Sequence, residues 1–312
     1  MTQKDFFSIA FYNTENLFDN KDEAHTLEKD YTPSGRKKWG SYRYQHKINK
    51  IAKVISKIGT SDCVFPPVLV GLAEIETKQV ALDIIQTEAL RYLNYDCVHY
   101  ESPDDRGIDV ALLYHKDFFE LVSSSAIPIQ VFETNGAQDD TRDILYVQGI
   151  LNGEYTHVFV NHWPSRRKGI DKTHLKRITI AKVLNDKISQ ILDENIHAKI
   201  TILGDFNDDP NSESIQHHLI SEFILNPMEK LLTPKQGSLT HNGIWYLFDQ
   251  ILLSKTYLNS QKNKFIKAAI YNEAFLTDWT GRNKGEPLRT YIGKFYRGGF
   301  SDHFPVYAIF KK

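Results

Sequence analysis

The chain has 312 residues, which by length alone predicts about two domains and a sizeable core. It is 41% hydrophobic and 25% charged, a globular balance and not a disordered one. Lys and Arg total 38 against 39 Asp and Glu, a formal charge of −1, which excludes a protein that holds polyanions by bulk positive charge; any nucleic-acid contact must come from a local patch.

In chain order, Phe6–Tyr12 (FFSIAFY) reads as a buried strand. Tyr42–Ile58 reads as a helix, because Ile48, Ile51, Ile55 and Ile58 recur at spacings of three and four, with Lys47, Lys50, Lys53 and Lys57 assigned to other faces. Val68–Ala73 is a strand and Lys78–Leu90 a helix. Ile108–Tyr114, Tyr146–Ile150 and His157–Asn161 are strands, followed by a helix over His174–Leu192. Ile200–Leu203, Phe248–Leu253 and Pro305–Phe310 complete the strands. Asp19–Gly40 reads as a polar surface excursion and Thr134–Asp140 as a loop. Thr277–Gly299 is long for a loop, and long loops in compact domains are often functional. Helices are too sparse for strict βαβ alternation, so the pattern favours sheets packed on each other with helices outside over a Rossmann or barrel plan. There is no internal repeat of solenoid period and no domain linker.

Two cysteines, Cys63 and Cys97, cannot form a disulfide framework or a thiolate zinc site of the usual ligand count. They read as buried small apolar residues, with one disulfide between them left open. No apolar run approaches the roughly 18 residues of a membrane span. Met1–Asp5 lacks the basic start and apolar stretch of a signal peptide. The expectation is a soluble, cytoplasmic protein, or a secreted or periplasmic one if a leader has been removed. No integral membrane association and no obligate protein partner are expected.

The informative pattern is a set of polar residues at the ends of apolar strands. FYNTEN presents Asn13 and Glu15, VGLAEIE presents Glu74 and Glu76, and FVNHWPS presents Asn161, His162 and Ser165. ILGDFNDDP presents Asp205, Asn207, Asp208 and Asp209, and GGFSDHFPV presents Asp302 and His303. Each alone reads as a turn former, a helix cap or a structural histidine. Asp249 differs, because a carboxylate inside the apolar run YLFDQILL needs a partner. A histidine is the natural one, since an oriented carboxylate fixes its tautomer and raises its basicity. Strand ends hold side chains rigidly and expose their tips, and six such places in one chain exceed what turn formation explains.

Carboxylates and amides dominate this inventory, and HExxH is absent. Oxygen ligands suit Mg²⁺, with Mn²⁺ or Ca²⁺ as alternatives. The chain has no Walker A pattern, no GxGxxG and no GxSxG, which removes support for triphosphatase, dehydrogenase and serine-hydrolase readings. Arg106, Arg166, Arg167, Arg289 and Arg297 lie in or near the motifs and are candidate phosphate clamps, because a guanidinium fork matches phosphate oxygens. Trp163 and Trp245 read as core packing ahead of base stacking.

The ordered series NTEN, AEIE, RGIDVALLY, NHWPS, GDFND, FDQILLS and SDHFPV resembles the endonuclease/exonuclease/phosphatase superfamily, from Phe11 to Pro305. The stretch VNHWPSRR, with TRDIL and RTY, resembles its bacterial nuclease-like subgroup. The resemblance implies one catalytic domain over residues 1–312, an α/β fold: a four-layer sandwich of two mostly antiparallel sheets packed face to face with helices outside. It implies metal-dependent hydrolysis of a phosphate ester. Carried over by position, it makes Glu74 the principal metal carboxylate, with Asn13, Glu15 and Asp302 beside it, although Glu15 stands where many members have a shorter Asp. It makes Asp205 and Asn207 the pair that positions water and phosphate. Asp249 becomes the orienter of His303, and His162 the second histidine. Whether Asp205 or His303 is the general base stays open. The expected function is a nuclease acting on DNA or RNA. The alternative is a phosphodiesterase or phosphatase for a small or lipid-linked phosphate.

Overall fold

The computed structural model describes residues 2–21, 29–133, 136–166 and 169–312, apart from the side chains of 170–172. From the N-terminus the chain forms β1 (Phe6–Leu17), α1 (Ser41–Ile55), β2 (Leu69–Ile75), α2 (Lys78–Ile85), β3 (Tyr95–His99), β4 (Asp109–His115) and β5 (Phe119–Ile127). A short hairpin of β6 (Val131–Phe132) and β7 (Gln138–Asp139) comes next, then β8 (Ile144–Leu151), β9 (Glu154–His162), α3 (Ile170–Glu194) and β10 (Lys199–Asp205). The last third holds α4 (Glu213–Gln216), β11 (Ile224–Leu225), the β12 (Leu239–His241) and β13 (Ile244–Tyr246) hairpin, and β14 (Asp249–Ser254). It closes with β15 (Lys264–Ile270), the β16 (Tyr291–Ile292) and β17 (Phe295–Tyr296) hairpin, and β18 (Val306–Lys311).

Two six-stranded sheets result, ordered β15-β18-β1-β2-β4-β3 and β11-β14-β10-β9-β8-β5. Each has one parallel pair at its centre, β1 with β2 and β10 with β9, and antiparallel pairs on both sides. The expected mostly antiparallel sandwich is therefore what the chain builds.

Strand alternation assigns the faces. Val158, Val160, Leu203, Ile251 and Leu253 join Ile9, Phe11 and Leu69 in the core between the sheets. Their neighbours Phe159, Ile200, Ile202 and Leu252 turn outward to Ile180, Leu184 and Ile188 of α3. Gly71 lies where the sheets leave little room between them: a Cβ there would sit 3.1 Å from Leu203 and 3.2 Å from Val160. Helices α1 and α2 contribute Ile48, Ile51, Ile55, Val80 and Ile84 to the core of the first sheet.

The differences from the sequence reading have local causes. Helix α2 opens on Thr77, whose side chain accepts the Val80 N–H, and ends at Ile85 because the Thr87 hydroxyl takes the Ile84 carbonyl. Of the Asp19–Gly40 excursion, residues 22–28 lie outside the described set, and the rest is anchored: Tyr31 and Trp39 are buried and Trp39 Nε1 donates to the Phe18 carbonyl at 3.0 Å. The Thr134–Asp140 loop includes 134 and 135, also outside that set, while Gln138–Asp139 pairs with Val131–Phe132. Thr277–Gly299 is not structureless, since it contains the β16–β17 hairpin and Asp278 exchanges backbone bonds with Gly285 and Glu286. Lys47 belongs with the buried face of α1 and not with the solvated one, because it shares the inward stripe of Tyr44, Ile48 and Ile51. Both cysteines are free and buried, as read. Trp163 packs edge-on against Phe206, and Trp245 stacks on Phe304. Among the described residues no helix is long and apolar enough to cross a membrane.

Candidate active site

Strand direction assembles the site. The parallel pairs β1–β2 and β9–β10 bring four C-terminal strand ends to one rim, and β14 and β18, running antiparallel, begin there. Asn13, Glu74, His162, Asp205, Asp249 and His303 consequently converge from distant parts of the chain. In the second sheet Asp205 pairs with both His162 and Asp249, so the three stand in one row facing the first sheet.

The two sheets touch through polar contacts at this rim. Asn13 Nδ2 donates to Asp205 Oδ2 at 3.0 Å, and Asn13 Oδ1 accepts the Glu15 N–H at 2.9 Å. The second Asp205 oxygen accepts the Asn207 N–H at 2.9 Å, and Asn207 Nδ2 donates to the Trp163 carbonyl at 2.9 Å. His303 Nδ1 lies 2.7 Å from Asp249 Oδ2, with Asp249 fully buried. This supplies the histidine partner that a carboxylate inside an apolar strand requires. His303 Nε2 faces Asp302 Oδ1 at 3.8 Å. Glu74 Oε2 accepts the Asn16 N–H at 2.6 Å. Its other oxygen faces His162 Nε2 at 3.8 Å and Arg106 Nη1 at 3.9 Å, both beyond hydrogen-bond reach. Arg106 also bonds Asn16 Oδ1.

The backbone bends unusually here. Glu15, Asn16, Glu74 and Asn207 have φ of 55°, 51°, 63° and 50°. This left-handed region costs a non-glycine residue about 1–2 kcal/mol, and such strain gathers at functional sites. At Glu74 it coincides with the register shift between Ala73 and Ile75, which re-aims the side chain.

Burial and charge tune the groups. Burial first, then the Asp249 charge, pushes the Asp205 carboxyl up to about 7, against the opposing pull of His303. Burial works against the His303 cation, but the Asp249 carboxylate outweighs it, and the histidine is raised well above its ordinary value. At neutral pH His303 is thus a cation held between carboxylates.

The remaining sequence candidates divide. Glu15 turns from the cleft: its Oε2 accepts the Thr290 N–H at 2.6 Å and lies 3.6 Å from Lys47 Nζ. Asp302 stays at the rim, 4.0 Å from Arg289. Arg166 is engaged inside the fold, with the Asn207 carbonyl and Asp208 each at 2.8 Å and its guanidinium 4.6 Å from the Phe248 ring centre. Arg297 pairs with Asp278 at 2.9 Å. Arg167 lies outside the described residues.

Sequence reading missed the supports. Arg142 donates to the His162 and Trp163 carbonyls and to Asp104 at 2.7 Å, fixing the chain as it leaves β9. Buried Arg177 holds Asp208 at 2.8 Å. Lys47 bonds Thr290 Oγ1 and the Phe300 carbonyl. The only signal for Lys47 was its place in the apolar stripe.

The donor chemistry around Glu74 fits a hard divalent cation. Glu74 Oε1 and Asp205 Oδ2 both lie within 3.8 Å of His162 Nε2, and among the described residues Asp205, Asp249 and His303 offer donor atoms within 4.8 Å of one another. The endonuclease/exonuclease/phosphatase family matches residues 8–312. The chain belongs to that family. Its members are phosphoester hydrolases, generally dependent on a divalent metal. No curated protein sequence matches the chain.

Solved structures of several proteins share its fold. Truncated Caenorhabditis elegans TDP2 matches with TM-score 0.60 and 16% identity over 98% of each chain. D. rerio TDP2 complexed with a single-strand DNA product matches with TM-score 0.58 and 16% identity, covering 98% of this chain and 99% of that one. A Bacteroides thetaiotaomicron mannosyl-6-phosphatase matches with TM-score 0.56 and 16% identity, covering 97% and 98%.

Proposed function

We propose that this family member is a phosphodiesterase dependent on a divalent cation, Mg²⁺ with Mn²⁺ or Ca²⁺ as alternatives, and that it acts on nucleic-acid strands as one catalytic domain. The observation that carries the reading is the buried Asp249–His303 pair, 2.7 Å apart, in the same rim as Asp205 and Glu74. Resemblance to a TDP2 that holds a single-strand DNA product supports the substrate class. The mannosyl-6-phosphatase relative supports a second reading, a sugar-phosphate monoester.

Glu74 would hold the cation, which when bound neutralises charge developing on the phosphate oxygens. The chain's own residues do the rest. Asn13 and the Asn207 N–H fix the Asp205 carboxylate, which accepts the proton of the attacking water. Asp249 holds His303 so that Nε2 points its charge at the phosphate. His162, beside Glu74 and Asp205, stabilises the same oxygens. Asn13 and Glu15 are placed outside the ligand set because their side chains are already engaged, and Asp302 is assigned to positioning His303 and Arg289.

The test is hydrolysis of bis(p-nitrophenyl) phosphate, a single-stranded oligonucleotide and mannose 6-phosphate, with Mg²⁺ or Mn²⁺ and with EDTA. Diester and oligonucleotide cleavage abolished by EDTA is expected. Cleavage of mannose 6-phosphate alone would install the second reading, and full activity in EDTA would remove the metal.

A further inference from the structure

Beside the rim lies a second concavity of about 330 Å³, lined by Thr240, His241, Asn242, Arg282, Asn283, Glu286 and Arg289 among others. Its walls are the β12–β13 turn, where Asn242 and Gly243 take φ of 53° and 78°, and the segment between Gly281 and Ile292. The turn is tied to the reactive end of the molecule, because Leu239 bridges His303 and the Phe304 N–H donates to the Ser238 carbonyl at 2.6 Å. From Leu239 to His241 is two strand steps, about 7 Å. Arg289 borders both places: it lines the concavity and its Nη1 stands 4.0 Å from Asp302.

The lining is polar, and most of it is uncommitted; Arg289 is the exception, its Nη2 donating to the Thr240 carbonyl at 3.5 Å. Among the described residues Arg282 makes no ion pair or hydrogen bond, and the side chains of His241, Asn242, Asn283 and Glu286 make no hydrogen bond to the protein. This contrasts with Arg166 and Arg297, which are both held by carboxylates. Two guanidiniums face Glu286 within the lining, with Asp302 beside Arg289 at its border; Arg282, held by no carboxylate, and the amides between make a cavity suited to an anion.

We propose that this concavity is a subsite for a second phosphate of the substrate, gripped by Arg282 and Arg289 while the scissile phosphate sits at His303. The inference rests on the phosphodiesterase reading above and specifies its substrate: a phosphoester with another phosphate one step along, as in a polynucleotide strand.

The test compares binding of pTpT and TpT, in EDTA, by calorimetry, to the wild-type protein and to Arg282→Ala. The wild type should bind pTpT about tenfold or more tightly than TpT, the size expected from guanidinium–phosphate contacts, and Arg282→Ala should erase most of that preference. Equal weakening of both probes by Arg282→Ala, or no preference for the added phosphate either here or in the sugar arm below, would overturn the proposal. A parallel arm uses glucose 1,6-bisphosphate against glucose 6-phosphate; a preference there and not with pTpT keeps the second-phosphate subsite and replaces the strand with a sugar as its source. Hydrolysis of bis(p-nitrophenyl) phosphate with Mg²⁺ is measured separately, so loss of the catalytic reading shows in turnover and loss of the subsite shows in binding.

Discussion

At the scale of single residues, the sharpest consequence belongs to His303. Its contact with Asp249 orients the ring and sustains its charge, so Asp249→Asn should damage the site nearly as much as His303→Ala. Each should lower kcat for bis(p-nitrophenyl) phosphate by about 10²–10⁴-fold, with an unchanged circular dichroism spectrum. A second residue sets a pH dependence of stability. Burial raises the Asp109 carboxyl from 3.8 to about 7, against the Ser102 bonds that lower it. The folded chain therefore holds this proton where the unfolded chain has lost it. Its contribution is fully present below about pH 4 and falls away as pH rises towards 7. Asp109→Asn should flatten part of that decline in urea midpoints measured from pH 4.5 to 7.5. The polar residues at strand ends were legible from sequence, because each interrupts or ends an apolar run. The histidine partner of Asp249 was legible too, but the engagement of the arginines was not: nothing in GKFYRGGF distinguishes Arg297, paired with Asp278, from an arginine left open to a ligand.

At the scale of elements, α1 is tied to the segment carrying His303. Lys47 is 1% exposed and reaches Thr290, Phe300 and Glu15. Ser301 continues the link by donating to the Asn13 carbonyl at 2.7 Å. Removing one partner of a buried ion pair leaves the other charge stranded, so Lys47→Met should cost about 3–5 kcal/mol in urea unfolding. Adding Glu15→Gln should recover part of it, and the single variant should also lose turnover as Asp302 and His303 loosen. The central strands were readable because their apolar runs are short and bounded; the edge strands β3, β5 and β15 were not read, β5 and β15 because most of their residues are exposed or half-buried and carry no apolar run. The length of α2 and the burial of Lys47 were not, because one is decided by a threonine turning back on its own helix and the other by what packs opposite.

At the scale of the whole molecule, the two sheets meet with little room at Gly71. Gly71→Val should force Leu203, Val160 and Phe11 aside and cost about 1–3 kcal/mol, read as a lower melting temperature. The sandwich itself was expected from the strand count and from the motif series. The common direction of the central strands was not, since sequence does not reveal which strands pair in parallel, and that direction brings the motifs to one edge.

The same rim has a mechanical side. Glu74 stands on one sheet and Asp205 and Asp249 on the other, so carboxylates from both leaves meet at the seam. A divalent cation there would work as a rivet joining the two leaves. Mg²⁺ should therefore raise the melting temperature progressively, by about 1.4 kcal/mol of stability per tenfold of ion above its dissociation constant. Glu74→Gln should melt at nearly the same temperature with and without the ion, the rivet having lost its hold on one leaf.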